Sequence, residues 1–107
     1  MKKQLESKFQ ADLIKELREM LPGALIFKNE GKQGLPDLTI LYKKHWALLE
    51  CKKSKTASHQ PNQDYYVELA NNMSYASFVY PENKGDVLNA LEQALRPHRK
   101  TRVPKSK

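Results

Sequence analysis

Two carboxylates and one ammonium carry the most specific chemistry in this 107-residue chain: Asp37 in Gly34-Leu35-Pro36-Asp37, and Glu50 and Lys52 in Glu50-Cys51-Lys52. If Lys43-Lys44 is a two-residue turn, Tyr42 faces His45, Leu41 faces Trp46, and the register runs on until Asp37 faces Glu50. A four-residue loop closed by Leu41 and Trp46 gives the same register, and an odd-length loop breaks it. Residues directly opposite on paired strands share a face, with Cβ atoms about 4.5–5.5 Å apart. Strand alternation puts Lys52 on the face of Glu50 and Cys51 on the other. Like charges in that position repel. A hard divalent cation such as Mg²⁺, which takes carboxylate and water oxygens, would compensate. The plainer alternative is a surface Asp and Glu paired with nearby lysines. Against it, Leu41, Trp46, Ala47, Leu48 and Leu49 make this the most apolar part of the chain, and burying an acid there without a use is costly. The turn itself is unfavourable, since Asn-Gly rather than Lys-Lys suits a type I′ hairpin.

The remaining elements must present that hairpin. Leu5, Phe9, Leu13, Ile14, Leu17, Met20 and Leu21 form one apolar face of a helix from Leu5 to Leu21, which Pro22-Gly23 stops. Ala24 to Lys28 reads as a short strand, and 29–34 as a polar loop with two glycines. Strands follow at Asp37–Tyr42 and His45–Lys52, then a basic loop to Gln60. Pro61 suits the first position of a helix running to about Asn71. Tyr75–Tyr80 is a fourth strand, and Val87, Leu88, Leu91, Ala94 and Leu95 mark a last helix. The order α-β-β-β-α-β-α indicates a mixed sheet flanked by helices, of α/β or α+β type. Glu6 and Gln10 fall inside the apolar face of the first helix, so both point toward the sheet. A first-turn acid favoured by the helix dipole is the plain reading of Glu6, and a hydrogen-bonded core amide that of Gln10. Beside Asp37, Glu50 and Lys52, Glu6 also reads as a third acid of a metal site.

Composition bounds the alternatives. Hydrophobic residues make up 39% and charged residues 29%, the mix of one globular domain. No stretch approaches the length of a membrane span, and the basic first residues lack the apolar core of a secretory signal. A single cysteine excludes an internal disulfide and suits a reducing, cytoplasmic setting. The formal charge of +7 favours a polyanionic partner. Its distribution is uneven: six of the 19 Lys and Arg lie beyond Leu95, with none of the 12 acids. Residues 1–95 are therefore one nearly neutral domain. Residues 96–107 read as a disordered basic tail that either binds nucleic acid or only aids solubility.

The set Glu6, Gly34-Leu35-Pro36-Asp37, Glu50-Cys51-Lys52 and Gln63 after Pro61, in that order along the chain, resembles the PD-(D/E)XK nucleases. In particular it resembles the VRR-type (virus-type replication-repair) nucleases of phages and bacteria, relatives of archaeal-type Holliday junction resolvases. The resemblance spans roughly Leu5 to Tyr80, with Cys51 as the middle residue of the triplet. It implies a restriction-endonuclease-like αβββαβ core and Mg²⁺-dependent hydrolysis of DNA phosphodiester bonds, with Mn²⁺ as a substitute. It also implies selectivity for branched or junction DNA in replication, repair or recombination, and a homodimer that cuts two strands. In that reading Asp37, Glu50 and the backbone carbonyl of Cys51 ligate the metal, and Glu6 assists directly or through water. Lys52 orients the attacking water or stabilises charge on the phosphate. Gln63 holds Lys52 or a phosphate, or is simply a polar residue at a helix start. Gly34 lets backbone approach a phosphate, unless it is a plain turn glycine. Lys32, Lys53 and Lys55 flank the site and, with Arg99, Lys100 and Arg102 of the tail, could contact phosphates; solvated surface lysines are the alternative.

Other residues read as structural. His45, His59 and His98 lack metal-ligand spacing. Cys51 reads as a small buried hydrophobe. One of Tyr65 and Tyr66 belongs to the core, and Trp46 to the core or a dimer interface. Two further functions stay open on the sequence: a nucleic-acid-binding protein without catalysis, acting through its tail, and a nuclease directed at RNA.

Overall fold

In the computed structural model the described residues are 2–31 and 33–96, with side chains from Ser7 onward. Helix α1 (Lys2–Met20) leads into strand β1 (Leu25–Lys28). A loop then enters the hairpin of β2 (Leu38–Tyr42) and β3 (His45–Cys51). Helix α2 (Pro61–Met73), strand β4 (Tyr75–Val79) and helix α3 (Lys84–Leu95) complete the chain. Each expected element is present, with ends shifted by only a few residues.

The strands form one four-stranded sheet in the order β1-β2-β3-β4. β1, β2 and β3 pair antiparallel, and β4 joins β3 in parallel. A parallel neighbour cannot be reached by a tight turn, so the chain crosses over through α2. The sheet is mixed, and the fold is α/β.

One face of the sheet packs against α1 and α3. Leu13, Leu17 and Leu21 meet Leu38, Ile40, Tyr42, Ala47, Leu49, Cys51 and Val79, with Val87, Leu91 and Leu95 closing the other side. The spacing of the three leucines at four-residue steps is what places Leu13 and Leu17 on one stripe of α1, with Leu21 continuing it just past the helix end through the bond from its amide to the Leu17 carbonyl. Each is fully buried, and truncating one to alanine would cost about 2–5 kcal/mol. The opposite face of β3 and β4 is covered by α2, whose Val67 and Ala70 pack with Trp46, Leu48, Ala76 and Phe78 of the sheet. β3 is thus sandwiched on both sides, which explains its unbroken apolar run Trp46-Ala47-Leu48-Leu49. Cys51 lies in the larger core, as expected for a buried hydrophobe. Tyr65 is exposed and Tyr66 half-buried. Leu25 and Phe27 of β1 stay 56% and 48% exposed, and Leu41 of β2 is exposed beside them, so an apolar patch of the sheet is left facing solvent.

Candidate active site

The hairpin register decides the site. Lys43-Lys44 is a two-residue turn, with Lys43 at φ 55°, and Tyr42 pairs with His45 and Leu38 with Leu49. One step beyond the end of β2, Asp37 lies across from Glu50. The Asp37 amide donates to Glu50 Oε1 at 3.2 Å. The Cys51 amide donates to Asp37 Oδ2 at 2.9 Å. Each carboxylate therefore accepts a backbone N–H of the opposing strand, an arrangement that locks both acids in place.

Glu50 and Lys52 are 4% and 7% exposed, and they are the buried charged residues among those described. Burying charge is costly unless it is paired and hydrogen-bonded. Here it is both. Lys52 Nζ lies 3.8 Å from Glu50 Oε2 and donates to Gln63 Oε1 at 2.8 Å and to the Ser58 carbonyl at 3.2 Å. Gln63 Nε2 donates to Glu50 Oε2 at 2.9 Å. Gln63 thus spans the ion pair, amide nitrogen on the acid and amide oxygen on the ammonium. Its position is set by the start of α2: Pro61 opens the helix, and the Gln60 amide donates to Gln63 Oε1 at 3.0 Å. Of the three readings open to Gln63 in the sequence, contact with Lys52 is the one observed.

These groups line a cleft of about 510 Å³ formed by Ser7, Gln10, Asp37, Glu50, Cys51, Lys52 and Gln63. Burial pushes the Asp37 carboxyl above its ordinary pKa, against the opposing pull of the Cys51 amide and Lys52. Two carboxylates against one ammonium leave the cleft with surplus negative charge. Oxygen donors of this kind suit a hard divalent cation. Among the described residues no group of three or more His, Cys, Asp and Glu is gathered to hold a metal ion; Asp37 and Glu50 make a pair. The expectation for Glu6 falls on a side chain outside those described, while Gln10, one turn further along α1, lines the cleft.

The remaining expected residues divide. Gly34 has φ +90°, and a Cβ there would fall 2.6 Å from Asn62 Cγ and Nδ2. Asn62 Nδ2 in turn donates to the Gln33 carbonyl at 3.3 Å. The glycine therefore fits the 29–36 loop against the first turn of α2. Lys53 is half-buried and Lys55 exposed. Neither lines the cleft with Asp37 and Glu50; Lys55 borders a second groove on the β4 side of α2. Lys32, Arg99, Lys100 and Arg102 lie outside the described residues.

Two residues that the motif does not mark support the site. Asn29 accepts from Thr39 Oγ1 at 2.9 Å and donates to the Pro36 carbonyl at 2.8 Å, while its amide donates to the Asp37 carbonyl at 2.7 Å. It braces the segment that carries Asp37. An Asn at the end of a strand and the start of a glycine-bearing loop is the signal that could have singled it out. The second is His59, which touches α2 and β4.

The sequence matches no family model and no curated protein. Among solved structures, a chain described as a "VRR_NUC domain" is similar, with a TM-score of 0.55 and 29% identity over 71% of this chain and 83% of that chain. The mixed sheet flanked by three helices matches the restriction-endonuclease-like α/β fold of that domain. The likeness, joined to the Asp37–Glu50–Lys52 cleft, supports a nuclease domain of the VRR type.

Proposed function

We propose that this protein is a metal-dependent DNA endonuclease, selective for branched or junction DNA. The observation that carries the reading is the buried Glu50–Lys52 pair set against Asp37 in an open cleft. A protein that merely held nucleic acid would have no use for two carboxylates aimed at a polyanion. Asp37, Glu50 and the Cys51 carbonyl would hold Mg²⁺, or Mn²⁺ in its place, with Glu6 as a further donor from α1. When bound, such a metal would supply Lewis acidity toward the scissile phosphate and lower the pKa of a nearby water, so that hydroxide is available as the nucleophile. Lys52 orients that water or meets the charge developing on the phosphate. Gln63 keeps Lys52 and Glu50 in register. The +7 charge, concentrated beyond Leu95, brings the polyanion to the site.

We also propose a homodimer, because resolving a junction requires two cuts. The patch of Leu25, Phe27 and Leu41 supports it: Leu25 and Leu41 are register partners, and all three are exposed.

The test is incubation with plasmid, four-way junction, flap, linear duplex and RNA substrates in Mg²⁺ and then in EDTA. Cleavage of junctions ahead of linear duplex, abolished by EDTA and by Glu50→Ala, is expected. Absence of cleavage in both Mg²⁺ and Mn²⁺, or its survival in Glu50→Ala, would overturn the reading. Binding without cleavage would leave a tail-driven nucleic-acid binder.

A further inference from the structure

We propose that His59 is a positioning residue for Lys52, acting through the carbonyl of Ser58. The inference rests on the nuclease reading of the cleft and adds to it a residue that the motif does not contain. Lys52 Nζ has three acceptors within reach. Glu50 Oε2 and Gln63 Oε1 belong to regular elements. The third, the Ser58 carbonyl, belongs to the irregular segment between β3 and α2. An acceptor on a loop can direct an ammonium only if the loop itself is held.

His59 supplies that hold. The Ser58 carbonyl and the His59 amide share one planar peptide unit, so what fixes His59 limits the direction of the Ser58 oxygen. The His59 ring stacks on Phe78, with centroids 4.0 Å apart and planes at 21°. His59 Nδ1 is 2.9 Å from Asp64 Oδ1 in the first turn of α2. Phe78 is the register partner of Glu50 on the neighbouring strand. The ring is thus pinned to both elements that flank the site, β4 through the stack and α2 through Asp64. Its side chain nevertheless remains 31% exposed. A surface histidine held on two sides, adjoining the one loop atom that contacts Lys52, is accounted for if its role is to aim that atom. An ordinary surface histidine would gain little from such fixation, which costs side-chain entropy.

The test compares His59→Ala and His59→Phe with the parent protein on plasmid DNA in Mg²⁺. Phenylalanine keeps the stack on Phe78 and gives up the bond to Asp64. Alanine is expected to lower kcat by about tenfold, the scale of a small misplacement of a catalytic group, with KM unchanged. Phenylalanine is expected to restore most of the loss. A His59→Ala kcat within about twofold of the parent, a change confined to KM, or a His59→Phe variant no better than His59→Ala would overturn the proposal. Should the parent protein itself fail to cleave, the nuclease reading falls, and the Lys52 ammonium signal in nitrogen NMR decides the positioning alone. Slow exchange with water in the parent and His59→Phe but fast exchange in His59→Ala supports it; equal exchange in all three overturns it.

Discussion

Asp37 sits in an environment that disfavours its own charge. Burial raises its pKa, so the folded state binds the Asp37 proton more tightly than the unfolded chain does. Above the raised pKa the ionised carboxylate costs stability, and the cost is relieved as pH falls through that pKa toward the ordinary carboxylate range. Asp37→Asn should therefore raise the thermal midpoint of the metal-free protein near neutral pH while abolishing cleavage. A lowered midpoint would contradict this account. Mg²⁺ should raise the midpoint of the parent but not of Asp37→Asn, since only ligand binding to the folded state stabilises it. That gain should shrink on acidification, because the proton and the metal compete for the same oxygen. Gln63 makes a different prediction. Its amide serves Glu50 and Lys52 together, so Gln63→Leu leaves two buried groups each short of a partner. A destabilisation of about 1–3 kcal/mol is expected in urea titration, with a fall in kcat beside it.

At the scale of the element, the hairpin bears the strain that aligns the acids. Lys43 adopts a left-handed conformation at φ 55°, which costs a residue with a side chain roughly 1–2 kcal/mol. Lys43→Gly should recover part of that and raise stability by up to about 1 kcal/mol, with cleavage unchanged. A loss of stability would mean that the lysine side chain contributes more than its backbone costs. The loop before β2 depends on close approach at Gly34. Gly34→Ala should destabilise the protein, because the new Cβ meets Asn62 and φ is positive. Asn62→Ala in the same chain should restore part of the loss by removing the clash but not the backbone strain, a coupling that a double-mutant cycle measures.

At the scale of the whole molecule, neither the basic residues beyond Leu95 nor the apolar patch of β1 and β2 includes a residue of the cleft. The basic residues beyond Leu95 account for most of the +7. Removing residues 97–107 should weaken DNA binding and flatten its salt dependence, by roughly 0.9 in log–log slope for each phosphate that the tail had neutralised. The kcat on saturating DNA should hold, because the cleft residues all precede the tail. An unchanged slope would show that the tail does not touch DNA. The exposed β1–β2 patch makes a parallel prediction. Phe27→Glu should shift a dimer to monomer in sedimentation equilibrium without altering the monomer's thermal midpoint.

Much of this was legible before folding. The pairing of Asp37 with Glu50 follows from counting outward from Lys43-Lys44, because a hairpin turn fixes register and strand alternation does the rest. The helix faces follow from the spacing of Leu13, Leu17 and Leu21. Proline at 61 marked the start of α2 and hence brought Gln63 near the site. What the sequence could not settle is contact between segments that no local period relates. That Asn29 braces Asp37, that Gly34 fits under Asn62, and that His59 stacks on Phe78 are consequences of three segments converging on the end of β3. Periodicity assigns a residue to a face of its own element. Only packing decides which side chain of another element meets it there, and in this protein those meetings hold the charges of the cleft in place.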